Sequence, residues 1–431
     1  MSRYYLLSKK QKVEFQIPET WSVLNNVSME PYKKETSVYE MVKKALTEPI
    51  GGRALGELIN PKDKIVIVVD DLTRPTPRAE IMSCLIDYLQ NLGVGYNQID
   101  ILFGIGTHSP LSKTEMENAI GPDLFFKVRC TNHNCWSEDL VSVGKLEAGG
   151  DLKINPLFLS ADFRIAVGSI LPHFMAGFGG GPKLIMPGIS NFDFIKQHHL
   201  STFLPRSRLG EITNNPNYDS MCQAAKLAGL DFLINALYNS RHEVNGIVAG
   251  EFEKAHKAGV QMSLEEYAVR IEPAADLTII SAYPYDENNQ VLKPLIPASM
   301  VTKRNGLVIL FAPSLQSGRL APPNEIWSQV HGNPAKIAAD YISQGRLIVQ
   351  NAPMDTNIAA YLNLFIASRI RVILVLPNTE LAKRPEYGVR YTSKIEQAIE
   401  MAAIEVPEAT VNILPSGGMI VPLVKDYLEF C

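Results

Sequence analysis

Short apolar runs rich in valine and isoleucine recur along the chain, and each ends in polar residues or glycine. The runs that we predict to be strands are Lys64–Val69, Ile99–Phe103, Phe163–Ser169, Leu277–Ser281, Gly306–Phe311, Arg371–Leu376 and Thr410–Ile413. Helical patterns lie between them, among them Ala79–Leu92, Glu251–Val269 and Asn324–Gln344. Continuous apolar strands that alternate with helices are typical of parallel sheets covered on both faces. The pattern therefore predicts an α/β fold.

The length of the chain predicts more than one domain. Its 431 residues exceed what one hydrophobic core usually organises, so we expect two α/β domains with mostly parallel sheets. The Glu272–Pro273–Ala274 stretch separates a helix from the next strand, and we place the boundary there, giving residues 1–272 and 273–431. Because ligands bind beyond the carboxyl ends of strands in open α/β sheets, we expect an active-site cleft between the domains.

Composition narrows the class of protein. Hydrophobic residues make up 46% of the chain, charged residues 20%, and the net charge is −4; no basic run suggests a nucleic-acid partner. We find no signal peptide and no run of eighteen apolar residues, so we predict no membrane association and a cytoplasmic location. The five cysteines include no CxxC pair, which favours reduced thiols over disulfides or a cysteine zinc site.

Charged residues follow the first predicted strand, in the sequence DDLTRPTP. Asp71 and Arg74 are three residues apart and are candidates for an ion pair, with the arginine free to grip a carboxylate through two hydrogen bonds. The alternative is an aspartate-capped turn with a surface salt bridge.

Two histidines follow other strands and are candidate bases or metal ligands. His108 stands in Gly-Thr-His-Ser-Pro and His173 in Leu-Pro-His-Phe; the alternative for each is a structural or surface role. The pair His198–His199 lies on a predicted helix, where adjacent side chains diverge, so only one can face a ligand. The remaining histidines are interpreted as structural: His133, His242, His256 and His331.

A glycine-rich loop lies between His173 and the histidine pair. Its run Gly179, Gly180 and Gly181 offers backbone N–H groups to a phosphate, although neither the Walker A motif nor the dinucleotide fingerprint is met. Lys183 follows in this otherwise apolar loop. A buried lysine there is a candidate nucleophile or covalent anchor, and the alternative is a side chain that reaches solvent. Ser190 and Asp193 predict a capping box for the following helix.

One further pair of polar residues stands in the second half of the chain. Gln290 and Lys293 would lie on one face of a helix that starts near Asn288. The alternative is an ordinary solvated helix start.

Taken together, these motifs resemble the nickel-pincer lactate racemase family of 2-hydroxyacid racemases and epimerases. The resemblance runs from PIGGRALGEL at Pro49 to PSGG at Pro415. It implies a cofactor, the nickel-pincer nucleotide (pyridinium-3-thioamide-5-thiocarboxylic acid mononucleotide, with Ni), and hence a dependence on cofactor-synthesis enzymes. The chain departs from the family pattern at Pro182, where alanine is common, and at Ser281-Ala-Tyr-Pro and Asn289-Gln, where Gly-Gly-Tyr-Pro and Tyr-Gln are frequent.

The resemblance also implies roles for particular residues. Lys183 looks like the covalent anchor of the cofactor, and His199 like the protein's nickel ligand. His108 and His173 look like the two acid/base histidines. The residues implied to contact the cofactor or the substrate are Asp71, Gly179, Gly180 and Gly181 for the cofactor, and Arg74, Gln290 and Lys293 for the substrate. The N-terminal domain would then carry the cofactor and both histidines, and the C-terminal domain would close the cleft.

The function so implied is racemisation or epimerisation of a 2-hydroxy acid by reversible transfer of the C2 hydride to the cofactor. Two alternatives stay open from the residues alone: a metal-dependent hydrolase, and a non-catalytic relative that binds the cofactor or a hydroxy acid. No HExxH spacing supports the hydrolase, and the presence of both His108 and His173 favours a catalyst.

Overall fold

The computed structural model describes residues 3–8, 11–27, 35–201, 207–285, 288–313, 333–350, 352, 354–377 and 389–424. The strands are β1 (Arg3–Ser8), β2 (Gln11–Gln16), β3 (Trp21–Asn26), β4 (Ile65–Asp70), β5 (Ile99–Gly104), β6 (Arg129–Asn132), β7 (Val141–Leu146), β8 (Gly150–Ile154), β9 (Phe163–Ser169), β10 (Pro172–His173), β11 (Gly177–Phe178), β12 (Phe232–Tyr238), β13 (Val244–Gly250), β14 (Ala268–Arg270), β15 (Ala275–Ser281), β16 (Thr302–Phe311), β17 (Arg371–Val375), β18 (Val389–Thr392), β19 (Ala409–Leu414) and β20 (Val421–Leu423).

The helices of the described residues alternate with these strands. They are α1 (Val38–Thr47), α2 (Leu55–Leu58), α3 (Arg78–Asn91), α4 (Lys113–Ile120), α5 (Pro122–Phe125), α6 (Pro156–Leu159), α7 (Phe192–Ser201), α8 (Pro216–Ala228), α9 (Phe252–Tyr267), α10 (Leu295–Val301), α11 (Pro334–Ser343), α12 (Met354–Ala367) and α13 (Ile395–Glu405). Short 3₁₀ turns occur at Tyr96–Gln98, Gly181–Leu184 and Asn288–Leu292. No helix in these ranges is both long and apolar enough to cross a membrane.

Two six-stranded sheets organise the chain. The first has the order β13-β12-β9-β4-β5-β6, and only its β12–β13 pair is antiparallel. The second has the order β18-β17-β16-β15-β19-β3, and all its pairs are parallel. The prediction of an α/β fold with two mostly parallel sheets is confirmed.

Each sheet buries both of its faces, as the continuous apolar runs predict. Along β4, Ile65, Ile67 and Val69 pack into one hydrophobic cluster, while Val66 and Val68 pack into another on the opposite face. Side chains alternate in the same way along β16 of the second sheet. Because successive side chains of a strand point to opposite faces, a run without polar interruptions needs cover on both sides, which the helices supply.

The N-terminal strands belong to the second sheet, which corrects the predicted division of the chain. That division assigned residues 1–272 to the first domain, yet β3 pairs with β19. Trp21 and Phe15 pack in the same cluster as β15, and the Trp21 indole donates to the Val406 carbonyl at 2.8 Å. Only one face of β3 is turned toward the core, and polar residues interrupt the strand, so it lacks the long hydrophobic run by which the others were predicted. The boundary near residue 272 stays a prediction.

Individual elements agree with the prediction to within a few residues. The predicted helix Ala79–Leu92 is α3, and Glu251–Val269 is α9. Of the predicted helix Asn324–Gln344, residues 324–332 lie outside the described residues, and α11 occupies the remainder. The predicted cap at Ser190 is wrong: its buried hydroxyl donates to the Ile185 carbonyl at 2.9 Å, and α7 begins two residues later.

Candidate active site

A cavity of about 250 Å³ lies between the two halves of the chain, beyond the carboxyl ends of β4, β5 and β9. Strands β4, β5 and β9 are neighbours in the first sheet, so the loops that follow them meet at one edge. The predicted site residues that line the cavity are Asp71, Arg74, His108, His173, Gly180, Lys183, His199, Gln290 and Lys293. The expected cleft is therefore present.

The loop after β4 is held rigidly by a buried ion pair. Arg78 is 6% exposed, and its Nε lies 3.0 Å from Asp70 Oδ1 and 2.8 Å from the Asp70 carbonyl. The hydroxyl of Thr76 donates to Asp70 Oδ2 at 2.5 Å. Burial raises the pKa of Asp70, and Arg78 opposes that rise. We did not predict the role of Arg78; its only signal was a second arginine close behind the motif.

His108 is oriented by Asp71. Its Nδ1 is hydrogen-bonded to the Asp71 carboxylate, which also accepts from the Thr73 backbone N–H at 2.8 Å. Burial would raise the pKa of Asp71, but the bond from His108 and the charges nearby hold it well below its usual value. Because a carboxylate only accepts, His108 Nδ1 carries a hydrogen, so in the neutral ring Nε2 is the nitrogen with the lone pair.

The turn that brings His108 to Asp71 depends on Gly106. This glycine has φ +56°, and its N–H donates to the Gly188 carbonyl at 2.9 Å. A side chain is strained in that conformation. The predicted Asp71–Arg74 ion pair is not what the structure shows: Arg74 Nη1 donates to the Thr73 hydroxyl at 2.9 Å, while Asp71 bonds to His108 and Thr73. The short spacing forms a local turn, which was one part of the alternative interpretation, but Asp71 is buried and no surface salt bridge joins it to Arg74.

The ring of His173 is held in the opposite way to that of His108, through an Nδ1 that accepts hydrogen bonds. It lies in β10, which pairs with β11 in a tight hairpin. Its Nδ1 accepts from the backbone N–H groups of Met175 and Ala176, both at 3.3 Å. The hydrogen of the neutral ring is therefore on Nε2. Burial, together with the charges of Lys183 and Arg74, lowers the pKa of His173 well below 6.5, so the ring is neutral at pH 7.

Lys183 stands in a 3₁₀ turn that follows the glycine run. Burial and the nearby Arg74 lower the pKa of Lys183 to about 7. A large fraction of this amine is therefore uncharged near neutral pH, and an uncharged amine is the nucleophilic form.

The predicted phosphate cradle of the glycine run does not form. The Gly179 N–H donates to the Leu171 carbonyl at 2.8 Å, and the Gly181 N–H donates to Asn235 Oδ1 at 2.8 Å. Neither glycine lines the cavity; Gly180 alone of the three does. The run has a packing role instead, because a Cβ on Gly181 would stand 2.4 Å from the ring of His256. Asn235, a polar break in the apolar strand β12, was the signal that the sequence offered.

The two adjacent histidines of α7 face in different directions, as predicted. His198 is 2% exposed, and its Nε2 is bonded to the Asn217 carbonyl at 3.2 Å. His199 lines the cavity, and its Nδ1 is bonded to the Ile195 carbonyl at 2.9 Å. Nε2 of His199 therefore keeps its lone pair, and burial lowers the pKa of His199 well below 6.5. A neutral imidazole oriented through its other nitrogen is the form that binds metals.

The second half of the chain closes the cavity with a short polar segment and an apolar surface. The Lys293 N–H donates to the Gln290 carbonyl at 3.0 Å, and both residues line the cavity, as their predicted shared face requires. Lys293 Nζ lies 4.6 Å from the centre of the Tyr285 ring. Burial and the charges of Arg74 and Lys183 lower the pKa of Lys293 well below 10.5.

Two of the remaining histidines are buried and hydrogen-bonded within the protein, and a third packs against aromatic rings. His133 Nε2 is bonded to the Ser190 carbonyl at 2.9 Å, and His256 Nε2 to the Gly179 carbonyl at 2.9 Å. His242 packs beside Tyr238 and Tyr285. Their structural interpretation agrees with these contacts, whereas His331 lies outside the described residues. The cysteines at positions 84, 130, 135 and 222 are free thiols, and Cys431 also lies outside.

The fold is of the α/β class, and the candidate site lies beyond the carboxyl ends of parallel strands. A family model described as the lactate racemase N-terminal domain matches residues 8–210. The lactate racemase of Thermoanaerobacterium thermosaccharolyticum is 30% identical over 419 residues, which cover 96% of this chain and 97% of that protein. The lactate racemase of Lactiplantibacillus plantarum is 34% identical over 289 residues, covering 65% of this chain and 67% of that protein. The chain belongs to the lactate racemase family, a family of isomerases.

Solved structures agree with this assignment. The lactate racemase apoprotein from T. thermosaccharolyticum superposes with a TM-score of 0.84 at 29% identity, covering 98% of this chain and 100% of that one. A protein from Thermotoga maritima superposes with a TM-score of 0.63 at 19% identity, covering 91% of this chain and 100% of that one, and shows the same fold.

Proposed function

We propose that this protein racemises or epimerises a 2-hydroxy acid, with a nickel-pincer nucleotide as its cofactor and His108 and His173 as its acid/base pair. The observation that carries the proposal is the arrangement of these two histidines. Both line one cavity, and their Nδ1 atoms are held by opposite kinds of partner: a carboxylate for His108 and two N–H groups for His173.

The residues of the cavity fit the cofactor. Lys183 has a buried amine with a pKa of about 7, suited to forming a covalent bond. His199 offers one imidazole nitrogen to a metal. In the described part of the chain, no group of three or more His, Cys, Asp or Glu side chains could hold a metal ion. A metal at His199 would therefore take further ligands from a bound group, as a nickel-carrying nucleotide provides.

When bound, the cofactor would accept the C2 hydride of the substrate and return it. Removal of a hydride rather than a proton from C2 is favourable beside a carboxylate, because it leaves a neutral ketone instead of a second negative charge. Hydride loss requires a base for the hydroxyl proton. His108 Nε2 has the free lone pair, so it accepts that proton.

His173 would serve the hydroxyl on the other side of C2. In the tautomer seen here its Nε2–H donates a hydrogen bond to the substrate oxygen; to accept the hydroxyl proton of that enantiomer at Nε2, the ring would first move this hydrogen to Nδ1. The two enantiomers place their hydroxyl groups on different sides of C2, so a racemase needs a proton-handling group at both positions. Return of the hydride to the opposite face of the planar ketoacid inverts C2.

Arg74 and Lys293 would hold the substrate carboxylate from opposite sides of the cleft. Arg74 comes from the first sheet and Lys293 from the second half of the chain, and both line the cavity with Gln290. Two hydrogen-bond donors that hold the carboxylate let C2 present either face without loss of the substrate. In this proposal the first sheet and the loops and helices that follow its strands carry the cofactor and the histidines, and the C-terminal part closes the cleft.

The anchoring role of Lys183 is tested on protein produced together with the cofactor-synthesis enzymes. Mass spectrometry of the intact protein should show an adduct that digestion assigns to Lys183. We expect Lys183→Ala to lose the adduct and racemisation of 2-hydroxy acids, because the amine that forms the bond is gone. Lys153→Ala, at an exposed position, is the control and should keep both. An adduct-free parent protein that racemises a 2-hydroxy acid would contradict the anchor, and a loaded protein that racemises none would contradict the function.

The metal role of His199 has its own test, in nickel content. We expect His199→Ala to lower the nickel bound per loaded protein strongly, because the nitrogen facing the cavity is lost. His198→Ala should lower it far less, because that ring bonds to the Asn217 carbonyl. Equal nickel in the parent and the His199 variant would assign His199 a different role.

A further inference from the structure

The wall of the cavity opposite the polar groups is apolar, and its side chains form one surface. Leu295, Ile296 and Ile366 belong to the hydrophobic cluster of the second sheet, and Leu292, Leu362 and Phe174 pack against that cluster. The same six residues line the cavity. We call this surface the apolar wall. It is the part of the second sheet's hydrophobic cluster that faces the cleft.

The spacing of α12 shows how this wall is built. Ile358, Leu362 and Ile366 are four residues apart and all line the cavity. Residues at this spacing share one face of a helix. The helix therefore presents a stripe of three aliphatic side chains to the space where a substrate would lie, and Thr356 and Asn363 line the cavity beside it.

The apolar wall begins beside the groups that would hold the carboxylate. Leu292 directly precedes Lys293, and Leu295 stands two residues after it. Phe174 follows His173, and the centres of their stacked rings are 5.2 Å apart. Of the four substituents on C2, the carboxylate would lie at Lys293, the hydroxyl at a histidine and the hydrogen toward the cofactor, which leaves the side chain to be placed. That substituent points toward the apolar wall.

We propose that the substrate is a 2-hydroxy acid with an apolar side chain larger than methyl, such as a branched aliphatic or aromatic one. The proposal rests on the proposed function and names its substrate class. Among the described residues, the acidic, lysine and arginine side chains of the cavity are Asp70, Asp71, Arg74, Lys183 and Lys293, and none lies in the apolar wall. A second carboxylate or several hydroxyl groups would lose water against these six apolar side chains, which offer no hydrogen-bond partner; the polar residues of α12 that line the cavity are Thr356 and Asn363. A methyl group would leave most of the wall uncovered.

The main test compares kcat/KM of the cofactor-loaded protein on a matched series of acids. The series is lactate, 2-hydroxybutanoate, 2-hydroxy-4-methylpentanoate, 3-phenyl-2-hydroxypropanoate, malate and glycerate. Racemisation of each acid is measured by chiral chromatography. Each additional buried methylene is expected to raise kcat/KM about fourfold, the equivalent of about 0.8 kcal/mol. The aliphatic six-carbon acid should exceed lactate by at least roughly tenfold. Malate or glycerate as the best substrate, or lactate ahead of the longer acids, would overturn the proposal.

Two variants of α12 locate the effect. Leu362→Phe narrows the cavity at the apolar wall, so it should lower kcat/KM for the six-carbon acid several-fold more than for 2-hydroxybutanoate. Leu364→Ala is the control: Leu364 is buried in a neighbouring cluster and does not line the cavity, so the ratio between the acids should not change. An equal effect of Leu362→Phe on all acids contradicts the proposal.

A binding measurement on the apoprotein tests the apolar wall without turnover. A ligand that binds the folded state raises Tm. 2-Hydroxy-4-methylpentanoate should raise Tm more than lactate at equal concentration, and an equal or smaller rise counts against the apolar wall as the substrate site.

Turnover by the cofactor-loaded protein distinguishes failure of the two proposals. If a loaded protein with its Lys183 adduct racemises no acid of the series, the proposed function fails. If it racemises lactate best, only the substrate class fails.

Discussion

The two walls of the cleft are built on different physical principles. The wall from the first sheet consists of polar side chains whose orientations are set by hydrogen bonds within the protein: Asp71 holds His108, and backbone N–H groups hold the His173 ring. The wall from the second half is mainly aliphatic, with Lys293 and Gln290 at its border. Polar contacts demand defined geometry, whereas an aliphatic surface selects by size and loss of water. The first wall is suited to chemistry and the second to selecting the substrate.

The largest expected effect comes from the two histidines of the first wall. Loss of a general base typically costs ~10²–10⁴-fold, and we expect losses of that order in racemisation for His108→Ala and His173→Ala. Glutamine variants distinguish them. A glutamine amide donates a hydrogen bond but is not a base, so His173→Gln should keep more activity than His173→Ala. His108→Gln should be as inactive as His108→Ala.

Initial rates in both directions and the double variant complete this measurement. The double alanine variant should be only slightly worse than either single variant, because residues that act as a unit are not additive. If His108→Gln keeps as much activity as His173→Gln, the assignment of base and donor from their hydrogen bonds is wrong. Full racemisation by either alanine variant would return that histidine to a structural role.

A smaller effect is expected from the residue that orients His108. Asp71→Asn should lower kcat by ~10–100-fold, in the range seen for partners that orient functional histidines. The amide can donate to Nδ1 and so favour the tautomer with its hydrogen on Nε2. The ¹⁵N chemical shifts of His108 should report that change. The control is Asp100→Asn, which removes an exposed carboxylate bonded to Arg129 and should leave kcat unchanged. An unchanged His108 spectrum in Asp71→Asn would contradict the orienting role.

The same contrast between the walls decides what could be predicted from the sequence. The strands of the first sheet and the residues at their ends were predictable, because uninterrupted apolar runs mark parallel strands and ligands bind beyond their ends. The pairing of Asp71 with His108 was not, because it joins loops after two different strands. The roles of Arg78 and Asn235 were missed for a similar reason, since their contacts depend on how the loops fold back on the strands.

The second wall was the harder part to predict. Gln290 and Lys293 were found, since they are polar residues in an apolar context. The aliphatic stripe of α12 was not, because an apolar helix face looks the same in sequence whether it covers a core or lines a cavity. Strand β3 was missed as well: its pairing partner β19 lies nearly four hundred residues away in the chain, and only tertiary contacts reveal it.

The smallest effect concerns the histidines buried behind the first wall, and it appears in stability rather than rate. Burial lowers the pKa of His133 and of His256 to about 4 and that of His198 to about 3. These folded values lie below the unfolded value near 6.5, so the unfolded chain binds protons first as the pH falls. The stabilisation is complete above pH 6.5 and is lost progressively toward pH 4.

Each such histidine should contribute a slope of about 1.4 kcal/mol per pH unit to the free energy of unfolding below pH 6.5. We expect urea unfolding to show this loss between pH 6.5 and 5, where ordinary carboxyl groups are still ionised. His256→Gln should reduce the slope by about the contribution of one histidine, because a glutamine does not titrate. It should also lower stability at pH 7, since the bond to the Gly179 carbonyl is disturbed. A free energy of unfolding that stays constant from pH 7 to 5 would show that these rings accept protons without unfolding, and that the region behind the polar wall is less closed than its burial indicates.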